Sequence, residues 1–386
     1  MFYFVKFSHS PNTASTNRTM AIIRALSELG VQTHVVFFGP DKKRSKVEEY
    51  LPNIEFRYLW DKGFINIPKL WRISFWLYLR KFVNSLQSGD IVYVYGFPEL
   101  VVALSKRNDI YVFQERTEHN DVSLICNIKK TPIPVYLEAC RRISGMIVIS
   151  QGLKQYYIDN GCLPERVHVV NMIVDTTRFD GLQKQPTEPY IAYCGTASNN
   201  KDGVDQLIKA FAIVVKKHPN YKLYIMGSTP SKKQRFGNYE LTKELGIEDN
   251  IVFTGVIPAE RMPQLLKNAA ILALDRPNNL QARCGFPTKL GEYLLTGNPV
   301  VVTDVGDISL FLKNRESALI AAPDDIEDFA NKLCWAIENP NEAQTIGERG
   351  RAVAKIYFNY LTETEKLRDI IKPLTDTTDI NRKRDN

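Results

Sequence analysis

Apolar and polar positions along this chain keep two periods. Short apolar runs, FYFVKF, THVVFF, IVYVY, IYVFQ and GMIVIS, punctuate longer stretches with helical spacing, the first from about Asn17 to Leu29. Runs such as VVFF and IVYVY are apolar at every position, as strands covered on both faces must be. Alternation of such strands with helices predicts a doubly wound parallel sheet. The pattern then restarts with YIAYCGT, the helix VDQLIKAFAIVVKKH, YKLYIMG, NIVFTG, MPQLLKNAA, ILALD, LGEYLLTG and PVVVTD. The expected fold class is therefore α/β, with two doubly wound parallel-sheet domains facing a central cleft.

Between the two series lies DTTRFDGLQKQPTEP, polar, rich in turn formers and without period. The expected organisation is an N-terminal domain over 1–175, a linker over 176–189, a C-terminal domain over 190–355, a helix over 356–375 returning to the first domain, and a disordered tail over 376–386. A chain of 386 residues exceeds one ordinary core and fits this division.

Composition narrows the classes. With 44% apolar and 24% charged residues the chain reads as globular. No run approaches the roughly 18–20 apolar residues of a membrane span, and MFYFVKFSHS looks like a strand rather than a signal peptide, so a cytoplasmic location is expected. The six cysteines are scattered with no CxxC pair, which argues for reduced thiols over a zinc site or a disulfide framework. A net charge of +7 suits anionic partners such as phosphorylated small molecules or an acidic bilayer face, while the scattered basic clusters do not suggest a nucleic-acid site.

Several loops after strands suit an anion. Gly195 ends YIAYCG and is followed by Thr196, a helix start and Lys201; YIMGST repeats the strand-then-glycine pattern at Gly227, and VFTGVI repeats it at Gly255. Glycine lets the backbone approach a ligand, and a helix start offers free N–H groups. Arg276, Arg283 and Lys289 converge between ILALD and LGEYLLTG. Lys289 and Glu292, three apart on one helix, are either a simple ion pair or a division of labour, the lysine at a diphosphate and the glutamate on ribose hydroxyls. The Gly285-Phe286-Pro287-Thr288 turn would shape the pocket between them.

In the first half, IYVFQERTEHNDVS places Glu118 and His119 just past a strand. The early loop SHSPNTASTNR offers Asn12, Ala14, Ser15 and Thr16, as exposed backbone donors or as ordinary N-caps. The segment 63–86 is basic and aromatic; it either packs into the core or lies on an anionic membrane. No Asp-x-Asp follows a strand on a loop, so no metal is expected, and no GxGxxG follows the first strand, which argues against a dinucleotide-dependent dehydrogenase.

GFPTKLGEYLLTGNPVVVTDVGD resembles the "FPTKLGEYLATGKPVV" variant of the Glu-x7-Glu motif of retaining GT-B glycosyltransferases, the family 4 or group 1 type. CGTASNNKDGVDQLIKAF is similar to that family's "GRLSxEKGvdxLIeAF", and RRISGMIVISQGLKQYYIDNG with VHVVNMIVDTTRF is similar to its first-domain ending. The resemblance implies two Rossmann-like domains of the GT-B class and transfer of a sugar from a nucleotide sugar, UDP or GDP, with retention and without cofactor or metal. The acceptor would be a glycan or a lipid-linked molecule in bacterial cell-surface polysaccharide synthesis. It also implies Lys201 and Lys289 at the diphosphate, Glu292 at the ribose and His119 at the donor sugar, with Glu118 orienting His119 or meeting the acceptor. The chain departs from the pattern twice: Cys284 stands where the first glutamate is expected, and Thr196 where an arginine is expected. Arg276 or Arg283 is the expected substitute for that arginine's charge. Two alternatives stay open, a nucleotide-sugar 2-epimerase of the same fold and a non-catalytic partner subunit.

Overall fold

The computed structural model describes residues 1–7, 14–39, 51, 54–59, 70–120 and 131–384. The chain divides into two compact units, Met1–Asn171 with Tyr360–Asn386, and Met172–Asn359.

The first unit is built on seven parallel strands, β1 (Phe2–Lys6), β2 (Thr33–Phe37), β3 (Phe56–Tyr58), β4 (Ile91–Tyr95), β5 (Tyr111–Arg116), β6 (Gly145–Val148) and β7 (Val167–Val169). Their order is β3-β2-β1-β4-β5-β6-β7. The sequence direction reverses between β1 and β4, which pair in register from Phe2 with Ile91 to Lys6 with Tyr95. Both strands are buried along almost their whole length, and Phe4 stacks on Tyr93 with ring centroids 5.1 Å apart. That is what their apolar sequence requires, broken only by Lys6 at the end of β1.

The second unit carries β8 (Tyr190–Cys194), β9 (Lys222–Met226), β10 (Ile251–Gly255), β11 (Ile271–Leu274), β12 (Val300–Thr303) and β13 (Leu319–Ala321), all parallel, in the order β10-β9-β8-β11-β12-β13. Its switch point lies between β8 and β11. Helices Val204–Lys217 and Ile326–Glu338 pack together over this sheet, burying Leu207, Ile208, Phe211, Phe329 and Leu333. At such a reversal the loops leaving two neighbouring strands diverge and open a crevice for ligands.

The division corrects the expected boundaries. The chain crosses between units at 171–172 and again at 359–360, and the supposed linker 176–189 belongs to the second unit. A 3-10 turn at Thr176–Phe179 buries Phe179, the amide of Gln185 donates to Asn268 Oδ1 at 3.0 Å, and Gln264 donates to the carbonyl of Gln183. One apolar anchor and a few long-range hydrogen bonds hold a stretch whose composition resembles a tether. The last helix, Tyr360–Arg384, packs on helix Ala14–Glu28, with the Tyr360 hydroxyl donating to Glu28 and Glu363 accepting from the Asn171 amide at 2.8 Å. It runs through most of the tail expected to be disordered, since extending an existing helix is far cheaper than starting one.

Candidate functional site

Three glycine turns lie side by side where β8, β9 and β10 end. The Gly195 amide donates to the Met226 carbonyl and the Gly227 amide to the Gly255 carbonyl. Gly195 has φ +141° and Gly227 φ +137°, and a Cβ on Gly227 would come within 2.0 Å of the Gly195 oxygen. Only glycine fits two strand ends brought that close.

Beyond Gly195, Ser198 caps the short helix Asn199–Asp202 by accepting from the Lys201 amide at 3.2 Å. The next residue, Asp202, is buried and binds three groups. It accepts from Lys289 Nζ at 2.5 Å and from the Tyr193 hydroxyl at 2.7 Å, and Arg276 Nε stands 3.8 Å away. Burial works against its charge, yet these partners outweigh burial and hold Asp202 below the usual carboxylate range. Burial likewise lowers the pKa of Lys289, opposed by Asp202, and burial together with Asp202 drives the Tyr193 hydroxyl well above 10.

Lys289 therefore sits beside the first glycine turn: a Cβ on Gly195 would lie 2.5 Å from its Nζ. Helix Thr288–Leu295 fixes that position. Tyr293, on its inner face, accepts from the Cys194 amide at 2.5 Å and donates to the Cys194 carbonyl at 3.2 Å, clamping the helix to the end of β8. Phe286, ahead of the helix, is buried against Phe311 and Phe358. The same helix turns Glu292 toward Arg178, and the two form an ion pair in which each side chain keeps some exposure, 18% for the glutamate and 24% for the arginine. The Gly195 turn, Thr196, Lys201 and Lys289 thus gather at the switch point, with Glu292 one helical turn beyond Lys289.

Two expected substitutes for the missing arginine charge part company. Arg276 is 2% exposed, its amide bonded to Thr303 and its Nε directed at the Lys201 carbonyl and Asp202. It lies under the turn, between the carboxylate of Asp202 and the carbonyl of Lys201. Arg283, on helix Leu280–Cys284, is exposed. Cys284 is buried, and burial pushes its thiol above 9. Pro287 precedes the first helical residue, Thr288, without a side-chain cap.

In the first unit, His119 and Glu118 follow β5. His119 is buried with its ring centroid 4.1 Å from that of Tyr156, edge to face, and Glu118 is half-buried. Asn120 next to it bonds Arg116, Tyr156 and Tyr157. Asn12 lies outside the described residues, as do 63–69 of the 63–86 segment. Helix Ala14–Glu28 begins before Ser15 and Thr16, so these are first-turn residues rather than caps. Ser15 instead accepts from Lys6 at the end of β1.

Lys6 leads to a buried network that sequence reading missed. Its Nζ donates to the Ser15 carbonyl and Thr19 Oγ1 at 3.1 Å each. Arg18 Nε pairs with Glu115 Oε1 at 2.5 Å, its other nitrogens reach the Val170 and Asn171 carbonyls, and Tyr93 donates to Glu115 Oε2 at 2.5 Å. Burial lowers Lys6 to about 8 against the pull of Glu115. This network lines the β1–β4 reversal, the first unit's own switch point.

Comparison with known proteins bears on both units. The family described as Glycosyl transferases group 1 matches residues 174–353, and Glycosyltransferase Family 4 matches residues 15–178. The chain belongs to the group 1 and family 4 glycosyltransferases. Among relatives of this glycosyltransferase, D-inositol 3-phosphate glycosyltransferase of Nocardia farcinica is 26% identical over 57% of this chain and 50% of its own length. Mannosylfructose-phosphate synthase of Agrobacterium fabrum is 23% identical over 68% and 57%. The chain spans about half the length of these curated relatives. An uncharacterized glycosyltransferase of Haemophilus influenzae is 22% identical over 87% of this chain and 90% of its own. Among solved structures, Anabaena HepE in complex with UDP aligns with a TM-score of 0.74 at 18% identity, over 96% of this chain and 99% of that one. Sucrose-phosphate synthase of Thermosynechococcus elongatus aligns with a TM-score of 0.73 at 17% identity, over 97% and 99%. The glycosyltransferase fold is GT-B, with two Rossmann-like domains.

Proposed function

We propose that this glycosyltransferase moves a sugar from a nucleotide sugar, UDP- or GDP-linked, to a glycan or lipid-linked acceptor, with retention at the anomeric carbon and without a metal. The observation that carries the reading is the placement of Lys289 against the Gly195 turn at the β8–β11 switch point. A leaving diphosphate there would meet backbone N–H groups and the ammonium groups of Lys289 and Lys201, which neutralise charge as it develops. Glu292, steered by Arg178, would accept from the ribose hydroxyls. His119 and Glu118 would serve the sugar and the acceptor. HepE, crystallised with UDP and with UDP-glucose, supports a uridine donor by analogy of fold only.

The proposed setting is bacterial cell-surface polysaccharide synthesis, in the cytoplasm at the inner membrane face, reached through segment 63–86. Cys284, in place of a motif carboxylate, favours one second reading, a subunit that binds donor without transferring it. Transfer from labelled nucleotide sugars, with the anomeric configuration of the product read by NMR, tests both. Donor-dependent product that disappears in Lys289→Ala supports the enzyme. Protection by nucleotide diphosphate against thermal unfolding, with neither transfer nor donor hydrolysis from any donor, supports the subunit.

A further inference from the structure

Helix Leu70–Ser85 covers the first sheet with one face. Phe75, Leu79 and Phe82 are buried there, Phe75 against Phe38 and Phe97, and Phe82 against Tyr3. A helix so placed ordinarily turns polar side chains outward. Here Ile73, Trp76 and Leu77 stand on the opposite face, 58%, 46% and 62% exposed. Arg80 and Lys81 follow one turn later, also exposed. The spacing i, i+3, i+4, i+7 and i+8 makes one continuous stripe, apolar at one end and cationic at the other. The helix contains three cations and no carboxylate, and neither Arg80 nor Lys81 joins an ion pair among the described residues.

We infer that this stripe docks on an anionic lipid bilayer, with Ile73, Trp76 and Leu77 entering the headgroup–acyl boundary and Arg80 and Lys81 meeting lipid phosphates. It deepens, and rests on, the membrane-contact reading above by naming the side chains and the lipid charge. Charge favours lipid over a protein groove: a run of cations without interspersed carboxylates complements a uniformly negative surface. Tryptophan between an apolar patch and a cationic turn matches the chemistry of that boundary.

The test is co-flotation of the full chain with vesicles of phosphatidylcholine alone and of phosphatidylcholine with phosphatidylglycerol. The chain should float with the anionic vesicles only, and less as salt rises. Arg80→Gln with Lys81→Gln should lower partition by about 25-fold, about fivefold for each cation. A combined Ile73→Ser, Trp76→Ser and Leu77→Ser variant should abolish flotation while its melting temperature stays near that of the parent, since all three side chains are exposed. Protection by UDP and by GDP against thermal unfolding, measured without vesicles, reports the donor site separately, so failure of one reading is distinguishable from failure of the other. A parent that ignores anionic vesicles, or a triple variant that floats equally well, overturns the proposal. So does a parent dimer, seen by sedimentation, that the triple variant makes monomeric without any change in flotation, since the face then belongs to a second copy.

Discussion

Asp275 offers the most direct test of the energetics under the Gly195 turn. It leaves β11 at the switch point, 2% exposed, and its Oδ2 is buried without a hydrogen-bond partner among the described residues. Burial first, then Asp324 and Asp205, raise its pKa from 3.8 to about 7. The folded chain therefore holds a proton that the unfolded chain has released throughout that window. Stability must fall as pH rises from about 4 to about 7 and level off above, because the native state binds more protons there. At about 1.4 kcal/mol per pH unit, the full interval corresponds to on the order of 4 kcal/mol. Asp275→Asn removes the titration but leaves a buried amide to satisfy, at a cost of about 1–3 kcal/mol. The variant should match or trail the parent near pH 4 and exceed it by about 1–3 kcal/mol at pH 8. Replacing Trp60, Trp71 and Trp76 by Phe leaves Trp335 as the only tryptophan, so urea unfolding followed by its fluorescence reports the second unit alone. Stability differences between Asp275→Asn and its parent that stay constant from pH 5 to 8 would refute the reasoning.

Other outcomes follow from the same geometry. Gly195→Ala puts a methyl 2.5 Å from Lys289 Nζ at φ +141°, so UDP and GDP should lose affinity by at least tenfold in calorimetry, about 1.4 kcal/mol, with the fold retained in circular dichroism. Arg178→Ala releases Glu292 and should raise KM for the donor several-fold with a smaller change in kcat, and Arg178→Lys should recover part of the loss; equal kinetics in all three proteins would remove Arg178 from the site. Asp202→Asn leaves Lys289 and Arg276 without their shared buried counter-ion and should cost about 3–5 kcal/mol in denaturant unfolding. Lys6, held at about 8 against an ordinary 10.5, binds fewer protons folded than unfolded, so it makes stability rise from pH 8 toward 10.5. Lys6→Met should flatten that slope in unfolding measured at pH 8 and pH 10.

The sequence was most legible where chemistry is local. Doubly apolar runs located the central strands, since period and burial are properties of a few neighbouring residues. Gly195, Gly227 and Gly255 stood out because each ends a strand-like run. Long-range pairing was hidden: Arg18 meets Glu115 across 97 positions and Lys289 meets Asp202 across 87. Nothing near either carboxylate in sequence marks its partner, so Asp202 passed as a residue after a lysine and Arg178 as part of a tether. Arg276 shows the complementary limit. A cation beside a glycine-rich edge suggests a ligand contact, and its burial and its bonds to Lys201 and Asp202 could not be read there. Ser15 and Thr16 fall two and three positions inside the place of an N-cap, because the helix starts at Ala14.

The double crossing of the chain has an evolutionary and practical consequence. Where the second unit begins and ends, the Val174 amide donates to the Phe358 carbonyl at 2.9 Å, and Val174 bridges Asn359. Its entry and exit are thus neighbours, as in an inserted domain. The segment 172–359 is a cassette with one paired junction, and exchange of the corresponding segment between relatives would transplant the Gly195 turn, Lys289 and Glu292 as a block. Chimeras cut at both points should express and fold, while cuts at 190 would strand Phe179 and Arg178 on the wrong side of the seam.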